Sequence, residues 1–173
     1  MNNLLSKRLA LAVTVVFLTI LCGASAQSAE KKKISGSGGK GLREISKSVV
    51  YPGDVPKHEL IQITSIETIT STETNFNDIE VQQYYQNDLV AGSGTSSGYR
   101  ILLHKNGDES YNKFKGTQKL IIKEGGEWEV AFEGTWRFTG GTGKFINIKG
   151  GGTYQGKVTK KGYAYDWEGE AEY

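Results

Sequence analysis

Cysteine, methionine, histidine and proline are scarce in this chain: one Cys, one Met, two His and two Pro among 173 residues. The cysteine, Cys22, lies in the apolar segment near the N-terminus, and the methionine is Met1. Beyond that segment the scarcity excludes disulfide bonds, thiolate catalysis and cysteine-ligated metal sites. The two histidines form no His-x-His pair, so a metal site and a metal cofactor are not expected.

The N-terminus has the three-part layout of a bacterial-type signal peptide. A basic pair at residues 7–8 precedes an apolar run over residues 9–22, and a small-residue stretch ends at Ala26. This layout predicts export to the periplasm or the medium, with cleavage after Ala26. The run has 14 residues, short of the ~20 that a membrane-spanning helix needs. Bulky Leu21 before Cys22 disfavours lipid attachment.

Charge is balanced once the predicted leader is removed. The remaining 147 residues hold 19 basic and 19 acidic side chains. A neutral chain argues against nucleic acid as the main partner, because phosphate binding relies on an excess of Lys and Arg. The first part of the mature chain, residues 27–57, is rich in Lys, Gly and Ser and contains Pro52 and Pro56. We expect it to form a flexible tether and a turn-rich segment before the main domain.

Residues 58–173 show the alternation of β-strands and no helical periodicity. Even positions of 128–138 are apolar or Gly, while charged side chains occupy odd positions. In residues 163–173 the odd positions carry the aromatic residues and the even ones carry acidic residues. This period of two predicts strands with one buried and one solvated face. Gly- and Asn-containing turns around residues 106–108, 125–126 and 160–162 connect neighbouring segments as hairpins.

Upstream segments complete a count of about eight strands. They cover residues 60–72, 78–86, 99–104, 111–115 and 117–123. In the third of these, alternation places residues 99, 101 and 103 inside, and it places Arg100 and His104 on the surface. His58, beside charged neighbours at a strand entrance, is also expected on the surface. A meander of this size forms a closed barrel or a sandwich, and we favour the barrel because closure removes exposed edges.

A glycine-rich motif near the C-terminus resembles a signature of the allene oxide cyclase and dirigent superfamily. The motif comprises Gly140, Gly141, Thr142, Gly143 and Phe145, followed by Gly150, Gly151, Gly152, Tyr154 and Gly156. The resemblance implies an eight-stranded, lipocalin-like barrel with an apolar cavity, sometimes used for cyclisation. It transfers no catalytic residue. The glycines permit a tight turn, and Phe145 can plug a barrel end. A phosphate-binding loop is the alternative, but such a loop leads into a helix, and here a strand is expected to follow.

An aromatic stripe is the best candidate for a binding site. The candidate lining residues are Trp128, Phe132, Trp136, Phe138, Tyr154 and Trp167, together with Tyr85 and Tyr99, which with Tyr84 would supply polar groups. Such a stripe makes either a packed core or the wall of a ligand cavity, and an eight-stranded barrel is wide enough for both. The glutamates opposite these rings are expected to face solvent.

Two functions follow from this sequence. In the first, the exported barrel binds a small apolar or aromatic molecule, with or without cyclase or isomerase activity. In the second, a barrel with a filled core acts without catalysis, through surface contacts with an envelope or host partner. An increase in the thermal stability of the folded protein on addition of a ligand would favour the first function.

Overall fold

A computed structural model describes residues 30–173. The predicted leader, with Cys22 and the cleavage position after Ala26, lies outside the described residues. None of the helical segments among residues 30–173 has the length and hydropathy that crossing a membrane requires.

The described chain is a closed barrel of eight antiparallel strands, in which each strand pairs with the next one in sequence and the last pairs with the first. The predicted closed antiparallel meander barrel is therefore confirmed. The strands are β1 Lys31–Val50, β2 His58–Ser71, β3 Ile79–Val90, β4 Ser93–Leu103, β5 Glu109–Ile122, β6 Trp128–Gly141, β7 Lys149–Thr159 and β8 Gly162–Glu172.

The predicted tether is wrong for residues 31–50, which form β1. This strand pairs with β8 over Lys31–Gly38 and with β2 over Gly36–Val50. Two of its glycines make room for aromatic rings: a Cβ at Gly36 would overlap the ring of Trp167, and a Cβ at Gly38 would overlap the ring of Tyr165. These two glycines, which resembled part of a linker, are therefore a packing requirement of the barrel wall.

The structure has the predicted number of strands, but two of the strands differ from those predicted. Residues 111–115 and 117–123 were expected as two strands, but β5 runs through both without interruption. The strand gained from the expected tether replaces the strand lost by this merger. From about residue 39 onward, β1 pairs with β2 alone, so the seam between β1 and β8 is eight residue pairs long.

The two ends of the barrel differ. At one end, here called the closed end, lie the start of β1, the end of β8 and two short 3₁₀ turns, Thr74–Phe76 and Gly143–Phe145. Phe76 and Phe145 are almost fully buried there. Gly143 has a φ of 49°, which lets the motif turn sharply and direct Phe145 inward. At the opposite end, here called the open end, the inward-facing side chains of β6 are only half-buried.

Candidate functional site

The barrel interior has a polar wall and an aromatic wall. The polar wall comes from β2 to β5 and holds the buried side chains of Ser65, Glu67, Gln83, Asn87, Arg100 and Asn112. The aromatic wall comes from β6 to β8 and holds Phe132, Trp136, Phe138, Tyr154, Tyr163, Tyr165 and Trp167. A buried interior usually contains few polar groups unless they are bonded or functional. The polar wall is therefore the part of the core that packing alone does not explain.

Arg100 lies at the centre of this interior and is 7% exposed. Its Nε donates a hydrogen bond to Oε1 of Gln83 at 2.9 Å. Its guanidinium carbon lies 4.7 Å from the ring centre of Phe114, 5.2 Å from that of Tyr165 and 5.7 Å from that of Tyr154. These ring faces stabilise the cation. Within residues 30–173 the bond to Gln83 is the only hydrogen bond of the guanidinium, so its terminal nitrogens have no protein acceptor there.

Glu67 is the buried carboxyl of the same interior and is 1% exposed. Its Oε1 accepts a hydrogen bond from the Tyr165 hydroxyl at 2.6 Å, and its Oε2 accepts one from the backbone N–H of Gly39 at 2.8 Å. Burial raises the pKa of this carboxyl above its ordinary value, and the charge of Arg100 opposes that rise. Glu67 is thus held by neutral donors, and among the described residues it makes no direct ion pair with Arg100.

The phenols around this pair remain neutral at ordinary pH. Burial raises the pKa of Tyr85, Tyr154, Tyr163 and Tyr165 above the usual value for tyrosine. These hydroxyls can donate hydrogen bonds, but they do not supply a negative charge to Arg100.

A small cavity lies between this centre and the closed end. Its volume is about 30 Å³, and its lining includes Arg100, Asn112 and Trp167. Oδ1 of Asn112 and Nε1 of Trp167 have no hydrogen-bond partner among residues 30–173. The volume suits about one water molecule, which needs two to four polar partners. The closed half of the barrel is therefore too full for an organic ligand.

The open half presents aromatic rings that solvent partly reaches. Tyr85, Phe132 and Tyr163 are half-buried and lie one inward-facing position or more beyond the central layer, toward the open end. The rings of Phe132 and Tyr163 stack with centres 5.2 Å apart and planes 14° apart. Trp128, at the start of β6, is also half-buried. Gln83 pairs with Arg100 in the β3–β4 register, so Tyr85 lies on the open-end side of Arg100.

The structure separates the predicted lining residues into three groups. Trp136, Phe138, Tyr154 and Trp167 are at most 8% exposed and belong to the packed core. Trp128, Phe132 and Tyr85 are half-buried toward the open end. The expected inward position of Tyr99 is wrong: its side chain is 58% exposed on the outside of β4.

The error at Tyr99 extends to all of β4. The inward side chains are Arg100, Leu102 and His104, not residues 99, 101 and 103. Sequence alternation allows either set of β4 side chains to face inward, and the expected orientation keeps Arg100 and His104 on the surface. The reverse orientation is stable because Arg100 lies among ring faces and Gln83 accepts a hydrogen bond from its Nε. Tyr84 pairs with Tyr99 in the β3–β4 register and is likewise exposed on the outside.

The predicted surface position of His104 is also wrong. Its ring is buried at the closed end and stacks on Phe145 with centres 3.9 Å apart. Nδ1 donates to the carbonyl oxygen of Asn75 at 2.7 Å, which leaves Nε2 to accept a hydrogen bond from the Ser110 hydroxyl at 2.8 Å. Burial lowers the pKa of His104. Neutral His104 therefore connects the Thr74–Phe76 turn and the start of β5 to Phe145.

His58 lies at the start of β2, near the open end. Its two ring nitrogens contact Oδ1 of Asp54 at 2.6 Å and Oδ1 of Asp88 at 2.9 Å. Hydrogen bonding to these carboxylates raises the pKa of His58. The contacts join the segment between β1 and β2 to β3. Among residues 30–173, no group of three His, Cys, Asp or Glu side chains is arranged to hold a metal ion.

Comparisons with known proteins give limited information. No family model matches this chain. No curated protein matches it either. A dirigent protein described as a pterocarpan synthase is similar in structure, with a TM-score of 0.43 and 12% sequence identity over 98% of this chain and 99% of that chain. The pterocarpan synthase activity is that protein's own.

Proposed function

We propose that this chain is an exported barrel that binds a small apolar or aromatic molecule in its open half. The observation that carries the proposal is the pairing of a polar wall, centred on Arg100, with an aromatic wall that solvent partly reaches. Ligand sites in proteins combine apolar surfaces with a few converging polar groups. Stacking on Phe132 and Tyr163 would contribute about 0.5–1.5 kcal/mol beyond surface burial.

Cyclase or isomerase activity is a finer form of the same proposal. The aromatic walls would restrict the shape of a reactive molecule. Glu67 is the one buried carboxyl among the described residues, and its raised pKa suits a group that exchanges protons. The hydroxyl of Tyr165 would orient it. The test for this form is turnover of a bound ligand, with Glu67→Gln as the comparison variant.

Export rests on the predicted leader. Mass measurement of the mature protein from a cell fraction or from the medium should show a chain that begins at residue 27. Full-length protein retained in the cytoplasm would contradict this part of the proposal.

Binding is tested with N-phenyl-1-naphthylamine, a neutral apolar fluorophore. We expect saturable one-site enhancement of its fluorescence and an increase in the melting temperature of the protein. Phe132→Ala should weaken binding, whereas the matched variant Tyr99→Ala, on the outside of the barrel, should leave it unchanged. Absence of saturable binding and of thermal stabilisation across a panel of apolar compounds, both neutral and acidic, would exclude the proposed function.

A second candidate function is supported by exposed apolar residues on the β1–β2 hairpin. Leu42, Ile45, Val50, Tyr51, Val55 and Leu60 are each at least 39% exposed. Val50 and Leu60 are neighbours in the β1–β2 register, and contiguous exposed apolar surface often marks a protein contact site. If the barrel acts through its surface at the cell envelope, the double variant Tyr51→Ser, Leu60→Ser should lose retention on isolated envelopes while its melting temperature stays unchanged.

A further inference from the structure

We propose that the ligand carries a carboxylate and that the two terminal nitrogens of Arg100 bind it. This inference rests on the proposed binding function and adds the chemical class of the ligand. It depends on three features of the interior, which are the unoccupied edge of the guanidinium, the partners of Glu67 and the position of Arg100 beneath the open half.

The guanidinium is oriented by contacts that leave one edge available. Gln83 occupies Nε, and the rings of Phe114, Tyr154 and Tyr165 surround the planar group. The terminal nitrogens have no acceptor among residues 30–173. Their N–H groups lie in the plane of the guanidinium and match the two oxygens of a carboxylate. The site is therefore suited to a bidentate acid and poorly suited to an isolated hydroxyl.

The protein's own buried anion does not occupy this edge. Both oxygens of Glu67 accept hydrogen bonds from neutral donors, the Tyr165 hydroxyl and the Gly39 backbone. The neighbouring tyrosines are neutral. A buried cation without a directly bonded anion is unfavourable, so a ligand that supplies the anion gains more from binding than a neutral molecule of the same shape.

A ligand carboxylate would also affect Glu67. Two carboxylates near one guanidinium repel each other, so binding should raise the pKa of Glu67 further and cause it to take up a proton. Affinity for an acid should then decrease as the pH rises. The other titratable groups that face Arg100 are the tyrosines of β3, β7 and β8, with Glu44 of β1 near Tyr85. Burial keeps these phenols protonated, and Glu44 is exposed outside the interior, which leaves Glu67 as the group responsible.

The test compares 2-naphthoate with 2-naphthamide, which have the same rings and differ in charge. Isothermal titration of the mature protein should show about tenfold or greater preference for the acid, the effect of roughly one charge-assisted interaction. Arg100→Gln should remove the preference. Arg137→Gln, an exposed arginine on the outer face of β6, should keep it.

The outcomes separate this inference from the function on which it rests. Equal affinity for the acid and the amide in the wild-type protein would refute the carboxylate site and leave the binding function intact. Failure to bind either compound, together with failure of the apolar panel, would remove both.

A second measurement uses the wild-type protein alone, so it does not depend on the folding of Arg100→Gln. Titrations with naphthoate in phosphate and in Tris buffer should give different binding enthalpies. The proton that the protein takes up is released by the buffer, and the two buffers have different ionisation enthalpies. Titrations with naphthamide should give equal enthalpies. Equal enthalpies with both compounds would refute the coupling to Glu67.

Discussion

Replacement of Tyr165 by Phe isolates the hydrogen bond at the centre of the barrel. The substitution removes the hydroxyl that donates to Glu67 at 2.6 Å and keeps the ring that packs against Gly38 and Arg100. Tyr165 is 3% exposed and Glu67 is 1% exposed, so water does not replace the lost donor. A buried hydrogen bond to a charged group contributes about 1.5–3 kcal/mol. We expect the free energy of unfolding to decrease by about 2 kcal/mol.

Urea unfolding followed by tryptophan fluorescence measures this change. With an m-value of about 2 kcal/mol/M, the midpoint should fall by roughly 1 M. The loss should be larger in mildly alkaline buffer than in mildly acidic buffer, because the hydroxyl stabilises the charged carboxylate more than the neutral acid. Tyr84→Phe is the control, since Tyr84 is exposed and its hydroxyl makes a 3.4 Å contact with Gln82.

A decrease below about 0.5 kcal/mol, the range of ordinary surface substitutions, would refute the reasoning. It would mean that Glu67 is protonated in the native protein or is held by other groups. A changed m-value with an unchanged midpoint would instead indicate an altered unfolded state.

Three further predictions concern the core and the two histidines. Trp136→Ala should reduce the free energy of unfolding by about 3–5 kcal/mol in urea titrations, because Trp136 is buried in the core; a loss below about 1 kcal/mol would contradict this. The pKa of His104 is lowered from its ordinary value of 6.5, so the stability it supplies is complete above 6.5 and is lost as the pH falls through the lower folded-state pKa. His104→Gln should flatten the acid side of the curve of melting temperature against pH. The pKa of His58 is raised above 6.5. The contacts of His58 with Asp54 and Asp88 therefore stabilise the folded protein fully below pH 6.5, and this stability is lost as the pH rises through the raised pKa. His58→Gln should remove the corresponding decrease in melting temperature on the alkaline side.

The barrel could be predicted because its C-terminal strands have an unambiguous pattern. In β6 and β8 the inward rings alternate with charged or small residues, so a shift by one residue would bury the charges. Trp136 and Trp167 were placed correctly for this reason. The first strand was missed because its stabilisation comes from backbone pairing on two sides and from glycines that accommodate rings of other strands. Neither contribution produces a local hydrophobic pattern.

The central polar pair was not predicted: alternation placed Arg100 on the surface, and Glu67 was not among the candidate site residues. For Glu67 a signal was present: it occupies the same alternate face of β2 as Ile61, Ile63 and Ile69. For Arg100 no such signal existed, since both faces of β4 near it carry apolar residues. Its position depends on ring faces from β5, β7 and β8, which are distant in sequence. Sites built from several strands in this way require the folded register before they can be recognised.

The short seam between β1 and β8 determines when the barrel can be completed. Lys31 pairs with Glu172, so β1 cannot gain its second neighbour until β8 has been synthesised. Contacts between such distant segments form slowly. If the chain is exported through a translocon, as we propose, the barrel would therefore close only after β8 has crossed.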